Sequence, residues 1–262
     1  MLIDTHCHLD ATEFDGDRDA VVDAAMAAGV SAIIVPAVQP RNFAAVRRCC
    51  ERYPVCFPAY GVHPLYVDHL GEDVLVSLRR FLEVELAGAH PPIAIGEIGL
   101  DFFVPSVDVA KQDEVFAEQL RIARDFDLPV LLHVRRAVDA VLKQLRRFRV
   151  RGGIAHAFNG SRQQAEEFVR LGFRLGFGGA MTYPRATRLR ELAATLPIEA
   201  IVLETDAPDI PPAWLAGQRN QPGELSRIAA ELAELRRMGV KAVIDATTRN
   251  VQDLFPVLTG SG

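Results

Sequence analysis

The sequence predicts an α/β fold, a (β/α)8 TIM barrel that forms a single domain over residues 1–262. Eight short apolar runs alternate with amphipathic helical stretches along the chain. Several helical stretches end at a glycine directly before the next apolar run, as at Gly29 and Gly172, which is a common position for glycine after a helix. The length of 262 residues suits a barrel of this kind. Only the tail, Thr259–Gly262, is expected to be frayed.

The apolar runs are the predicted strands. Near-continuous apolar stretches such as Ala32–Val35 indicate strands buried on both faces of a parallel sheet. An open doubly wound sheet is the alternative, but it requires a glycine-rich phosphate loop that the sequence does not contain. The predicted strands are Leu2–His8, Val30–Pro36, Val55–Gly61, Ile93–Ile98, Pro129–His133, Gly153–Phe158, Phe173–Phe177 and Ile201–Asp206. Predicted helices include Asp17–Ala28, Phe43–Arg52, Val74–Leu86, Val109–Phe126 and Arg162–Leu171.

Charge and cysteine usage restrict the class of protein. The formal net charge is -5, so no overall basic field attracts nucleic acid or an acidic membrane, and an anionic substrate has to be attracted locally. The four cysteines lack the spacing of a zinc ribbon or a disulfide framework. The sequence also lacks a signal peptide and an apolar run of the ~20 residues that cross a bilayer. We therefore expect a cytoplasmic protein with no membrane association, and no protein partner is implied.

Histidines collect at the carboxyl ends of the predicted strands, where barrels of this kind build their active sites. His6, His8, His133 and His156 stand at such ends, and His63 follows another strand. A lone histidine is ordinarily a packing or surface residue. Five imidazoles at one rim are costly to bury without partners, which favours a functional cluster.

The first strand carries the sharpest local pattern, His6-Cys7-His8. Residues i and i+2 of a strand point to the same side, so both imidazoles can bind one ion. Asp4 lies one step deeper in the same row and is expected to orient a ligand histidine.

Glu97 lies between two glycines in Gly96-Glu97-Ile98-Gly99. A carboxylate at the end of an apolar strand needs a charged partner, or it would be protonated. Its two oxygens can bridge two cations, which is the predicted role. The alternative is a rim glutamate in a salt bridge.

The remaining candidate ligands end the fifth, sixth and eighth strands. His133 and His156 offer neutral nitrogen ligands that suit zinc and similar ions. Asp206 ends the eighth strand, which neighbours the first in a closed barrel, and Glu204 is expected to support the ligands from behind. Two divalent ions could share the complete predicted set, which is His6, His8, Glu97, His133, His156 and Asp206.

Two weaker candidates for substrate contact lie near this set. His63, in Gly-Val-His-Pro, contacts substrate or else caps a loop, and Arg135 faces the barrel mouth or else is an ordinary exposed arginine. The arginines of segment 146–151 precede the sixth strand and are expected to form a solvated surface on the opposite face.

Taken together, these motifs resemble those of the TatD-type metal-dependent deoxyribonucleases, in particular the YjjV-like members, within the amidohydrolase-like barrels. The resemblance covers nearly the whole chain. It is carried by Ile3–His8, Gly61–Pro64, Gly96–Asp101, Leu128–His133, His156–Gly160, Leu203–Pro208 and Thr248–Asn250.

The resemblance implies deoxyribonuclease activity and a division of the ligands. His6, His8 and Asp206 would bind one ion, His133 and His156 the other, and Glu97 would bridge them. Two departures lie where substrate is expected. Asn220-Gln221-Pro222 replaces the usual Asn-Glu-Pro, and Val134 replaces a serine.

The predicted function is hydrolysis of DNA phosphodiester bonds, as an exonuclease on single-stranded ends, by a water that two metal ions activate. Asp206 and Glu97 are the predicted catalytic residues, with Asp206 accepting the proton. The metal, whether Zn, Mn or Mg, stays open. One alternative is a lactone, amide or phosphotriester hydrolase of the amidohydrolase type, although many of these bridge their metals with a modified lysine. The other is a non-catalytic metal-binding accessory protein.

Overall fold

The computed structural model describes residues 1–69, 71 and 73–259, and it shows one sheet of parallel strands surrounded by helices. Neighbouring strands pair in chain order, β1 to β8, and each pair is parallel. The strands are β1 Leu2–Asp4, β2 Val30–Pro36, β3 Cys56–Tyr60, β4 Ala94–Asp101, β5 Val130–Arg135, β6 Gly153–Ala155, β7 Phe173–Phe177 and β8 Ile201–Leu203. The predicted (β/α)8 barrel is confirmed.

Helices follow the strands and cover the outer face of the sheet. They are α1 Arg18–Ala27, α2 Phe43–Arg52, α3 Val74–Leu86, α4 Val109–Asp125, α5 Val138–Phe148, α6 Arg162–Arg170, α7 Thr187–Thr195, α8 Leu225–Arg236 and α9 Val240–Leu254. Large side chains that these helices and the sheet bury between them, such as Phe116 and Phe168, form the main core. In the described part of the chain, no helix combines the length and the apolar character needed to cross a membrane.

The ends of β1 and β8 bring the barrel close to closure. Just past these strands, the Thr5 amide donates to the Leu203 carbonyl at 3.1 Å, and the Asp206 amide donates to the His6 carbonyl at 2.8 Å. The buried Asp4 carboxylate joins the same segments because it accepts from the Thr205 amide at 2.9 Å and from the His6 amide at 3.3 Å. Asp4 was predicted to orient a ligand histidine, and its contact is with the backbone amide of His6.

Three predicted strands run three or more residues past the observed strand ends. β1, β6 and β8 end before the residues expected at their tips, so His6, His8, His156 and Asp206 lie in the segments that directly follow. After β6 and β8 the chain cannot continue as a strand through the predicted tips, because Ala157 and Asp206 adopt φ values of 44° and 57°, which strand residues do not adopt. In contrast, β4 continues past its predicted end as far as Asp101.

A glycine allows β4 and β5 to approach each other beside the histidines. Gly99 adopts φ +145°, and a Cβ built there would lie 2.0 Å from the His133 carbonyl oxygen. Any side chain at this position would therefore displace the backbone of a predicted ligand. Of the tail expected to fray, Thr259 is described, and residues 260–262 lie outside the described residues.

Candidate metal centre at the carboxyl ends of the strands

The carboxylate of Glu97 lies at the centre of the histidine cluster and is only 2% exposed. Its Oε2 atom lies 3.3 Å from His6 Nε2 and 3.6 Å from His8 Nε2. The two imidazole nitrogens are themselves 3.3 Å apart. His6 and His8 therefore converge on one oxygen of Glu97, although both lie past the end of β1 and not within the predicted strand.

The other oxygen of Glu97 faces a second group of imidazoles. Its Oε1 atom lies 3.0 Å from His133 Nδ1 and 3.0 Å from His156 Nε2. His63 Nε2 is 3.5 Å from the same oxygen. Each oxygen of the carboxylate thus faces its own set of imidazole nitrogens, although the rings of His6 and His156 stack on each other with centroids 3.9 Å apart.

Asp206 lies with the first group. Its Oδ1 atom is 3.6 Å from His6 Nε2 and 3.8 Å from His8 Nε2. Asn220 fixes the turn after Asp206, because its buried amide donates to the carbonyls of Thr205 at 2.8 Å and Asp209 at 2.9 Å. Asn220, the first residue of the Asn220-Gln221-Pro222 segment that replaces the usual Asn-Glu-Pro, therefore positions a loop of the site.

Asp101 is a site residue that the sequence analysis did not select. Its buried carboxylate lies 3.0 Å from His133 Nε2 through one oxygen and accepts from the Phe103 amide at 2.8 Å through the other. This contact fixes the ring of His133, whose opposite nitrogen faces Glu97. Asp101 could have been predicted from the sequence, because positions 97 and 101 of one strand point to the same side.

Glu204 supports the centre from behind, as expected. One oxygen accepts from the Ala157 amide, directly after His156, and lies 3.9 Å from His156 Nδ1. A Cβ at Gly176 would lie 2.1 Å from the other oxygen, so glycine there makes room for the carboxylate. Burial raises the pKa of Glu204 to about 8.

The electrostatics of the cluster favour a bound cation. Burial lowers the pKa values of His6 and His63 to about 3, which leaves these rings neutral with lone pairs available. Burial by itself would raise the pKa of Glu97, but the surrounding imidazoles hold it well below its usual value. Burial likewise disfavours a charged His156, yet the attraction of Glu97 outweighs it and raises the pKa to about 10. The buried, ionised Glu97 therefore needs positive charge beside it, which a protonated His156 supplies or which a bound cation would supply instead.

The residues fit divalent metal ions. Three overlapping groups of residues each bring their ligand atoms within 4.8 Å of one another. The groups are His6, His8 and Glu97; His6, His156 and Asp206; and His63, Glu97 and His133. The donors are imidazole nitrogens and carboxylate oxygens without thiolate, a set that suits zinc, manganese and related ions. The buried Nδ1 atoms of His6 and His156 have no hydrogen-bond partner among the described residues.

The two predicted substrate residues differ in location. His63 is 7% exposed and faces Glu97, so its position is that of a further candidate ligand as much as that of a substrate contact. Arg135 is exposed at the end of β5, with its guanidinium over the ring of Phe103. On the opposite face, Arg146 is exposed and pairs with Glu167, as expected for a solvated surface.

Comparison with known proteins decides the family. A family model described as TatD related DNase matches residues 3–256. The chain belongs to the TatD family. It is 43% identical over 256 residues to YjjV of Escherichia coli K12, described as an uncharacterized metal-dependent hydrolase, covering 97% of this chain and 98% of that one.

Two further comparisons within the TatD family concern the fold and a named activity. The crystal structure of YjjV from E. coli K12 matches with a TM-score of 0.93 and 42% identity, covering 97% of this chain and 98% of that one. A Citrobacter koseri protein named 3'-5' ssDNA/RNA exonuclease TatD is 32% identical, covering 98% of this chain and 99% of that one. The resemblance noted in the sequence is confirmed, and the metal-dependent relatives and the ligand cluster agree with the predicted metal cofactor.

Proposed function

We propose that this TatD-family hydrolase cleaves phosphodiester bonds of DNA with divalent metal, and that it acts as an exonuclease on single-stranded ends in the cytoplasm. The observation that carries the proposal is the arrangement at Glu97, where each carboxylate oxygen faces its own group of imidazole nitrogens. A carboxylate shared in this way is suited to bridge two metal ions.

The metal ligands divide between the two oxygens of Glu97. His6, His8 and Asp206 would hold an ion on the Oε2 side, and His133 and His156 would hold one on the Oε1 side. Two such ions, when bound, lower the pKa of a shared water and stabilise charge on a phosphate.

Asp206 is the candidate proton acceptor. Burial raises the pKa of its carboxyl above the usual value, and a carboxylate with a raised pKa is a better base. Its Oδ1 atom, on the side of His6 and His8, would take the proton of the attacking water. His63 is then placed to contact the phosphate or to complete the ligand set on the Oε1 side.

Two observations support a nucleic-acid substrate. A relative that aligns over 98% of this chain is named a 3'-5' ssDNA/RNA exonuclease. Arg135 offers a guanidinium at the barrel mouth, and among the described residues no carboxylate lies within the 4.0 Å of an ion pair with it. A free guanidinium beside a metal centre can bind a phosphate through two parallel hydrogen bonds.

The experiment is nucleotide release from a labelled single-stranded oligonucleotide by metal-loaded protein, with chelator-treated protein as the control. We expect release only with metal. Asp206→Asn nearly preserves shape but removes the base, so it should lose about 100-fold or more in rate even at saturating metal. Lactone, amide and phosphotriester substrates are assayed in parallel. Turnover of one of these without any cleavage of DNA would overturn the proposal.

A further inference from the structure

Two consecutive arginines share one aromatic ring beside the metal centre. The guanidinium carbon of Arg135 lies 3.7 Å from the centroid of the Phe103 ring, and that of Arg136 lies 4.6 Å from it. Phe103 is 42% exposed, which is unusual for a phenylalanine, and both arginines are exposed as well. The three residues therefore form a cationic aromatic patch open to solvent, which we call the Phe103 patch.

The backbone explains how neighbouring arginines reach the same ring. Consecutive residues of a strand point to opposite faces, so a continuing β5 would separate the two side chains. β5 ends at Arg135, and Arg136 adopts φ 54° in the left-handed region. This turn breaks the alternation and brings both guanidinium groups over Phe103.

A single carboxylate joins the Phe103 patch to the metal centre. Asp101 lies 3.0 Å from His133 Nε2 and accepts from the Phe103 amide at 2.8 Å. The Phe103 patch is therefore held in a fixed position next to a candidate ligand. A phosphate bound there would neighbour a phosphate bound between the ions.

The guanidinium groups of Arg135 and Arg136 are placed over the ring without an acidic partner among the described residues. In the described part of the chain, no carboxylate oxygen lies within 4.0 Å of the Arg135 or Arg136 guanidinium, although many other arginines of this acidic protein are paired, as Arg170 is with Glu167. The ring attracts a cation through its face and leaves the edge N–H groups free to donate. Two such groups on one patch suit a phosphate anion.

Building on the phosphodiester hydrolysis proposed above, we propose that the Phe103 patch binds the phosphate next to the one that is cleaved. The substrate class is then an oligonucleotide with at least two consecutive phosphodiester links. A diester with one link would lack the second phosphate and would be a poorer substrate. A positively charged surface that contacts the phosphate backbone is typical of single-strand binding.

The test compares two substrates in one variant and its control. Arg136→Asn removes the charge, and asparagine tolerates the left-handed backbone of this position. Arg147→Asn is the matched control, because Arg147 is also exposed and lies 5.0 Å from the Phe148 ring, but near the carboxyl end of α5, on the opposite side of the barrel. We measure kcat/KM for a single-stranded oligonucleotide and for bis(p-nitrophenyl) phosphate, which has one link.

We divide kcat/KM for the oligonucleotide by kcat/KM for bis(p-nitrophenyl) phosphate. This ratio should fall about tenfold in Arg136→Asn, because a charge-assisted hydrogen bond to phosphate is lost. It should stay at the wild-type value in Arg147→Asn. Fluorescence anisotropy with a phosphorothioate oligonucleotide gives a second readout. The slope of log affinity against log salt should become shallower by about 0.7 when one phosphate contact is lost.

The outcomes separate this proposal from the nuclease proposal. If wild type cleaves neither diester, the nuclease proposal fails, and the anisotropy measurement still decides whether the Phe103 patch binds the oligonucleotide. If wild type cleaves both, and Arg136→Asn keeps the wild-type ratio and the wild-type salt slope, the patch proposal alone is overturned.

Discussion

The contact between Asp101 and His133 predicts an effect on metal binding that a merely structural role would not produce. A carboxylate can only accept hydrogen bonds, so a neutral His133 that binds metal through Nδ1 donates from Nε2 to Asp101 at 3.0 Å. Its Nδ1 atom then presents a lone pair toward the centre, where it lies 3.0 Å from Glu97 Oε1. The side chain of Asp101 therefore selects the ring tautomer that can bind metal.

Asp101→Asn should reverse this tautomer at almost constant shape. The Phe103 amide, which donates to Asp101 at 2.8 Å, would keep the asparagine oxygen on its side and turn the NH2 group toward His133. The opposite orientation would place two donors face to face. With the NH2 group donating to Nε2, Nδ1 carries the proton and loses its lone pair for metal.

We expect a loss of about 10- to 100-fold in the affinity for the ion on the Oε1 side, which corresponds to about 1.4–2.7 kcal/mol. The number of hydrogen bonds is unchanged, so the free energy of unfolding of the metal-free protein should change by less than about 1 kcal/mol. Metal titration with isotope-edited NMR of the histidine ring nitrogens measures affinity and tautomer together. Asp125→Asn, on the surface of α4, is the control. Metal affinity within twofold of wild type, with Nδ1 still unprotonated, would refute the reasoning.

Two further predictions follow from the geometry. His6→Ala and His156→Ala should each lose about one equivalent of bound metal, from the Oε2 and Oε1 sides of Glu97 respectively, as measured by elemental analysis after dialysis, and full occupancy in both variants would show that these rings are packing groups. Gly99→Ala should lower the free energy of unfolding by more than about 4 kcal/mol in urea titration, because its Cβ would lie 2.0 Å from the His133 carbonyl. Gly16→Ala, whose Cβ meets no atom within 4 Å, should stay within about 0.5 kcal/mol of wild type, and equal losses at the two positions would contradict the account of Gly99.

The fold could be predicted because the strands of a parallel barrel are buried on both faces and therefore appear as short apolar runs. β2 and β7, together with α2 and α3, have the predicted bounds. The predicted carboxyl ends of β1, β6 and β8 were wrong, because an apolar pattern carries no information about the residue at which the backbone turns. At Ala157 and Asp206 the left-handed backbone is held by contacts from distant segments, the carboxylate of Glu204 and the turn fixed by Asn220.

The histidine and carboxylate cluster was predictable for a related reason. The carboxyl ends of parallel strands meet at one rim, so residues at strand ends are brought together whatever their separation in sequence. Contacts between the candidate ligands and the residues around them were harder to predict. The bond from Asp101 to His133 depends on how far β4 extends, and the Phe103 patch depends on the turn at Arg136. Neither is visible in a pattern of apolar residues.

Metal titration of wild type and Glu97→Gln tests the central claim most directly, since everything proposed for this centre depends on one carboxylate shared by two groups of imidazoles. Glutamine keeps the shape but offers one neutral oxygen in place of a bridging carboxylate. Wild type should bind about two divalent ions per chain, and Glu97→Gln should lose affinity for both, while the exposed Glu114→Gln keeps both. A wild type that binds no divalent metal, or a Glu97→Gln variant that keeps both ions at wild-type affinity, would contradict the account.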